Sequence, residues 1–180
     1  GPTNITQTDL FNIILHSKIM LIRQSSCPEP NIALHELFHV LGFDHSNNKD
    51  NIMYPVSNCR QIIGEDMVNL INEIYSVPSY PDLAFAEVSA NMDGRYLNTE
   101  FGVRNHGLKD APESEVVIYI NNDVVKKVDL NSIGVGYGTK ITLSNVWISK
   151  INVKEIRFVI QAPFTEINKE NNEQVLKIKE

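Results

Sequence analysis

Residues 35–45 read HELFHVLGFDH, and this stretch decides how the amino-terminal half of the chain is interpreted. Apolar residues recur around it at helical spacing: Ala33, Leu34, Leu37, Val40 and Leu41. This periodicity predicts a helix over residues 30–42, with Asn31 as its cap. His35 and His39 are four residues apart, so we expect them on one face of that helix, one turn from each other.

The same stretch has the residue types of a catalytic zinc site. Gly42 can end the helix in a left-handed conformation, which lets His45 turn back toward His35 and His39. Three histidine ligands for one Zn²⁺ leave a fourth position to water, as in catalytic rather than structural zinc sites. Glu36 is rotated about 100° from His35 around the helix, which suits a general base that does not ligate the metal.

The eleven-residue motif resembles the metzincin clan of zinc metallopeptidases. Met53 is similar to the methionine of the clan's Met-turn, which implies an apolar floor below the three imidazoles. Ser46, directly after the third histidine, and Tyr54, directly after the methionine, resemble the matrixins, the relatives of the matrix metalloproteinases. A second predicted helix, residues 64–75, is similar to the matrixin carboxy-terminal helix. The resemblance implies a zinc endopeptidase acting on a protein or peptide substrate.

The chain departs from the matrixin pattern before the zinc motif. Only 34 residues precede His35, where matrixins have a large sheet with a substrate-binding edge strand. We predict a short helix over residues 8–16 and a strand at Lys18–Arg23, which is either that edge or a remnant of the sheet. Ser57 stands where a specificity-pocket tyrosine is often found, so substrate preference is not transferable.

Two cysteines, Cys27 and Cys59, flank the motif and the methionine. Three interpretations are open: a disulfide, two unpaired thiols, or Cys27 as an inhibitory thiolate on the metal. The positions around one site favour the bridge, which would close a loop of about thirty residues and stabilise by ~3–4 kcal/mol.

The second half of the chain has a different pattern. Seven short segments of alternating apolar residues, separated by Gly, Asn, Asp and Pro, predict an all-β sandwich; they are residues 83–89, 96–104, 115–120, 124–130, 139–143, 151–161 and 174–178. The stretches 103–107 and 166–172 resemble the immunoglobulin-like CARDB domains of prokaryotic surface and secreted proteins. Such domains imply a spacer or a module that binds a cell-surface or protein partner.

These observations define the expected organisation. The predicted fold class is α+β: a minimal, mainly helical metzincin subdomain (residues 3–76), a linker (77–81) and an all-β immunoglobulin-like sandwich (82–180). The net charge is −6 and no basic patch is present, which argues against a nucleic-acid partner. No apolar run approaches the ~20 residues of a transmembrane helix, and the family resemblances imply a secreted or cell-surface protein.

Two functions from different classes follow. The first is a zinc-dependent endopeptidase, in which metal-activated water attacks the peptide bond with Glu36 as general base. The alternative is a non-proteolytic zinc-binding surface or adhesion module with an incomplete substrate cleft. A third interpretation is a product cut from a larger precursor. The intact Glu36 favours the first function, and the short region before His35 favours the second.

Overall fold

A computed structural model describes residues 3–8, 11–21, 27–150 and 152–178. The chain divides into two compact units, one formed by Gly1–Thr6 and Asn12–Val77, the other by Gln7–Phe11 and Pro78–Glu180. The predicted boundaries at residues 76 and 82 stay a prediction. Neither α-helix in the described part of the chain has the length and apolar character needed to cross a membrane.

The predicted α+β class, with a mainly helical metzincin subdomain, is wrong. The chain is mostly β, with 43% strand and 15% helix. In its described part the α-helices are two, α1 (Asn31–Val40) and α2 (Glu65–Ser76).

The helix predicted over residues 8–16 is also wrong. This region forms a two-stranded sheet of β1 (Thr3–Gln7) and β2 (Asn12–Ser17). Thr8 closes the turn between them: its backbone N–H donates to the Phe11 carbonyl at 2.8 Å, and its Oγ1 accepts from the Phe11 N–H at 3.0 Å. Because the Thr8 hydroxyl takes part in this turn, it does not cap a helix. Of the predicted strand Lys18–Arg23, residues 18–21 are not in a strand, and the last two lie outside the described residues.

Helix α2 lies close to its predicted position and contributes to a small core in the amino-terminal unit. Glu65 and Asp66 occupy its first turn, where carboxylates favour the positive end of the helix dipole. Met67 packs from this helix into a cluster with three other buried residues: Phe38, Ile52 and Met53. This cluster connects α1, the turn after His45 and α2.

In its described part, the carboxy-terminal unit contains seven antiparallel strands: β3 (Leu83–Asp93), β4 (Tyr96–Asn105), β5 (Ser114–Ile120), β6 (Asp123–Leu130), β7 (Gly138–Trp147), β8 (Glu155–Gln161) and β9 (Glu173–Lys177). One sheet has the order β3-β4-β7 and the other β6-β5-β8-β9. Each predicted strand region of this half contains a strand. A short 3₁₀ helix, Glu170–Asn172, precedes β9.

The two sheets enclose one hydrophobic core. Phe85 and Phe101 of the first sheet meet Phe158 of the second, with Phe101 and Phe158 ring centroids 5.6 Å apart. Alternation along β4 buries every second side chain, as expected for a sheet with one face on the core. Asn121 and Asn122, both with positive φ, join β5 to β6 in a hairpin.

Candidate metal centre

Helix α1 carries two of the predicted ligands, His35 and His39, and the turn at its end leads to the third, His45. The Gly42 N–H donates to the His39 carbonyl at 3.1 Å and the Phe43 N–H to the Phe38 carbonyl at 3.0 Å. With Gly42 at φ +92°, this is a Schellman motif, in which a left-handed residue stops the helix and satisfies its last carbonyls. The rings of Phe38 and Phe43 pack edge to face at 5.4 Å, which supplies the apolar contact of the motif.

The three predicted ligands come together. The Nε2 atom of His39 lies 3.1 Å from Nε2 of His35 and 3.1 Å from Nε2 of His45. One ring nitrogen from each of the three lies within 4.8 Å of the other two. Nitrogens around a tetrahedral Zn²⁺, each about 2.0–2.1 Å from it, would be about 3.3 Å apart, so this spacing fits one metal ion.

Two backbone carbonyls fix the orientation and tautomer of the imidazoles. Nδ1 of His35 lies 2.7 Å from the Ile52 carbonyl, and Nδ1 of His39 lies 2.8 Å from the Phe43 carbonyl. A carbonyl oxygen only accepts, so each Nδ1 must donate, and in the neutral ring Nε2 then has a lone pair and no proton. Two lone pairs facing each other at 3.1 Å repel unless a cation lies between them. The donor set therefore fits a metal, and the carbonyls act as its outer shell.

A tight turn holds Met53 beneath α1. The Met53 N–H donates to Oδ1 of Asn51 at 2.8 Å, and the Tyr54 N–H donates to the Asn51 carbonyl at 3.0 Å. The Met53 carbonyl in turn accepts from the Ser46 N–H at 2.9 Å, which ties the residue after His45 to the turn. Met53 is 1% exposed and packs in the core with Phe38. The apolar-floor role that the resemblance implies for it stays a prediction.

Asparagine and glutamine side chains hold this turn in place, a role that the sequence did not predict for them. Asn51 donates its amide to Asp66 of α2 at 3.1 Å, and Gly64 leaves room for that pair because a Cβ there would lie 2.1 Å from Asp66 Oδ1. Asn31, predicted as a helix cap, instead is 3% exposed and donates to the carbonyls of Asn58 and Gln61. Its capping role is wrong because its amide points to the following loop.

Gln61 completes this network around the turn. It is 5% exposed, and its amide donates to the carbonyls of Lys49 and Val56 at 3.2 and 2.9 Å. Its Oε1 accepts from the Asn58 N–H at 2.9 Å. The sequence offered a weak indication of this network: amide residues recur in the otherwise irregular stretch 46–64, which has to be ordered if Met53 is to face the site.

Cys27 and Cys59 form a disulfide, with Cα atoms 5.2 Å apart and 32 residues of sequence separation. The bridge links the segment before α1 to the loop after the turn of Met53. In the structure neither sulfur has the role of a metal ligand or of an unpaired thiol.

Glu36 follows His35 on α1 and is half-buried. It is not a member of the three-histidine group, the closely spaced set of potential metal ligands in the described part of the chain. This placement is compatible with a base that contacts a water beside the metal, and its catalytic role stays a prediction.

Comparisons with known proteins give two family matches. The CARDB family model matches residues 80–175, and the Matrixin model of the Peptidase_M10 family matches residues 23–76. A comparison with curated protein sequences found no match.

Two of the solved structures similar to this chain are structures of one CARDB domain, at low sequence identity. The crystal structure of a CARDB domain from Pyrococcus furiosus in complex with di-metal ions is 21% identical, covers 55% of this chain and 87% of its own, and has a TM-score of 0.47. The solution structure of that domain is 22% identical, covers 56% of this chain and 95% of its own, and has a TM-score of 0.48.

Proposed function

The chain belongs to the CARDB family, and from that premise we propose that it is a secreted or cell-surface module whose amino-terminal unit binds one Zn²⁺. The observation that carries the proposal is the convergence of three Nε2 atoms, two of them on rings whose Nδ1 atoms are held by carbonyls. His35, His39 and His45 would hold the ion. The disulfide agrees with an oxidising compartment outside the cytoplasm.

In this function the zinc site takes part in surface binding or adhesion without proteolysis, and the β-sandwich is a spacer or binds a cell-surface or protein partner. The described residues next to α1 favour it over catalysis. Between Ser17 and α1, residues 18–21 and 27–30 are described and form no strand that could pair with a peptide backbone. A peptide would have to be held by other means for its carbonyl to stay beside the metal.

Peptide-bond hydrolysis is the second candidate, favoured by Glu36 and by the Matrixin match over residues 23–76. When bound, zinc would lower the pKa of a coordinated water and polarise the substrate carbonyl. Glu36 would accept the proton of that water and pass it to the leaving amine. The carbonyls of Ile52 and Phe43 would keep the rings of His35 and His39 oriented throughout.

One set of variants tests both candidates. Zinc content after dialysis and cleavage of an unstructured protein are measured for the parent, His45→Ala, Glu36→Gln and Glu29→Gln. His45 is exposed, so its replacement should remove a ligand without unfolding the unit. Glu29 is exposed and precedes α1, which makes Glu29→Gln a control with the same charge change.

The outcomes separate the candidates. One zinc per parent chain, lost in His45→Ala and kept in both Gln variants, supports the metal site. Cleavage by the parent and by Glu29→Gln, but not by Glu36→Gln, establishes the peptidase and rejects the non-proteolytic module. Zinc without cleavage in any variant supports the module. A parent that binds no zinc refutes both.

A further inference from the structure

Two buried carboxylates lie close together in the carboxy-terminal unit, where β3 begins. Asp82 is 1% exposed and Glu166 is 7% exposed. Oε1 of Glu166 accepts from the Leu83 N–H at 2.9 Å, and Oε2 accepts from the Asn172 amide at 2.6 Å. Oδ1 of Asp82 accepts from the Asn171 amide at 3.1 Å. Two successive asparagines thus bind two buried acids through their nitrogens.

The oxygens of the same asparagines lack partners. Within the described part of the chain, Oδ1 of Asn171 and Oδ1 of Asn172 are buried and make no hydrogen bond, and the same holds for Oγ of Ser114. Asn172 as a whole residue is only 7% exposed. Buried acceptors without a donor are costly and rare in native proteins. Such oxygens can accept a hydrogen bond from a donor or bind a cation.

A cavity of about 880 Å³ opens onto this cluster, and Ser114, Glu166 and Asn172 are among its lining residues. Its described lining has four carboxylates, from Glu113, Glu115, Asp129 and Glu166, and one cation, Lys169; of the carboxylates, Glu115 is paired with Lys127. A cavity with this balance concentrates cations by focusing the field of its charges. Its entrance therefore provides a route for an ion to the unpartnered oxygens.

We propose that a Ca²⁺ ion binds in this cavity, to the Glu166 carboxylate, the amide oxygen of Asn172 and the hydroxyl of Ser114. Ca²⁺ prefers carboxylate and amide oxygens, accepts six to eight of them, and completes its shell with water, which the cavity can supply. Burial raises the pKa of Glu166 in spite of its hydrogen bonds from Leu83 and Asn172, and the charge of Asp82 raises it as well. A bound cation offsets both effects.

The test uses the full chain, stripped of metal with chelator. Ca²⁺ is titrated by calorimetry into the parent, Glu166→Gln and Glu100→Gln, and the thermal transition is followed by fluorescence of Trp147, the single tryptophan, which lies in β7 of this unit. Glu100 lies in β4 of the other sheet, paired with Lys140, so Glu100→Gln makes the same charge change away from the cluster. A Glu166→Gln chain that fails to fold is replaced by Asn172→Asp.

The parent should bind with a Kd of about 10⁻⁴–10⁻³ M, as in extracellular calcium modules, and melt several degrees higher with Ca²⁺. Glu166→Gln should bind at least about tenfold more weakly, Glu100→Gln should match the parent, and Asn172→Asp, which adds a carboxylate, should bind more tightly. The proposal is overturned by a parent with neither heat nor a melting shift at about 10 mM Ca²⁺. Equal losses in both Gln variants, or no gain in Asn172→Asp, overturn it as well.

Discussion

Replacing Gly42 is expected to unwind the end of α1 and to weaken the metal site. At φ +92° an L-residue is strained, and a Cβ placed there would meet nothing within 4 Å, so the effect comes from the backbone alone. The cost of left-handed backbone for a residue with a side chain is about 1–2 kcal/mol. Asparagine tolerates this region better than alanine. We therefore expect stability to decrease from Gly to Asn to Ala at position 42.

The free-energy cost of replacing Gly42 can be measured at the hydrogen bonds of the Schellman motif. Amide exchange at Gly42 and Phe43 reports whether their bonds to His39 and Phe38 are open. Gly42→Ala should speed exchange about 5- to 30-fold, which corresponds to 1–2 kcal/mol, and Gly42→Asn should speed it less. Because the Phe43 carbonyl orients His39, zinc affinity should fall in the same order, by up to about tenfold for alanine.

Exchange that is equal in the three chains would refute the argument that the left-handed conformation holds the cap. If amide exchange becomes faster from Gly to Asn to Ala at position 42 while zinc affinity stays constant, only the link from the Phe43 carbonyl to His39 is refuted. The alanine and asparagine variants control for each other, since neither side chain has a neighbour to contact at this exposed position.

Three further predictions follow. Reduction of the Cys27–Cys59 bridge should destabilise the amino-terminal unit by roughly 3–4 kcal/mol, measured by urea denaturation with and without reductant; an unchanged midpoint contradicts a stabilising bridge. Gly64→Ala should cost ~1–2 kcal/mol in the same assay, because its Cβ displaces the Asp66 carboxylate from Asn51, and a neutral result would show that this contact is dispensable. The raised pKa of Glu166 means that folding favours its protonated form. Its stabilising contribution is therefore present below the unfolded pKa of about 4.3 and is lost as pH rises through the folded pKa. In chelator, stability from pH 4 to 8 should depend less on pH in Glu166→Gln, and parallel curves would contradict this.

Two features were predictable from the sequence: the strands of the carboxy-terminal unit and the three-histidine group. The seven strands of the carboxy-terminal unit were predictable because alternation with period two and the turn residues between strands are local properties. The three histidines were predictable because a helix places residues four apart on one face. Both signals are contained in short stretches of chain.

The errors arose where a local pattern competed with pairing partners. The stretch containing Ile13 and Ile14 reads as a helix by itself, but Thr8 closes a turn that brings it beside Thr3–Gln7 as a strand. Asparagine is a residue type that commonly caps helices, but the side-chain amide of Asn31 donates to a carbonyl in a loop about thirty residues later. The secondary-structure propensity of one residue does not include such contacts, because they are made with residues distant in sequence.

By itself, the sequence determined which residues can bind metal, that a helix presents His35 and His39 together, and that the carboxy-terminal half is a β-sandwich. Only the tertiary structure decided how the imidazoles are held, since the carbonyls of Ile52 and Phe43 belong to backbone that any sequence possesses. It also decided that Glu166 and Asp82 are neighbours, 84 positions apart in the chain. The physical reason is common to both: a side chain's identity is local, whereas its hydrogen-bond partners and its burial are set by the folded chain around it.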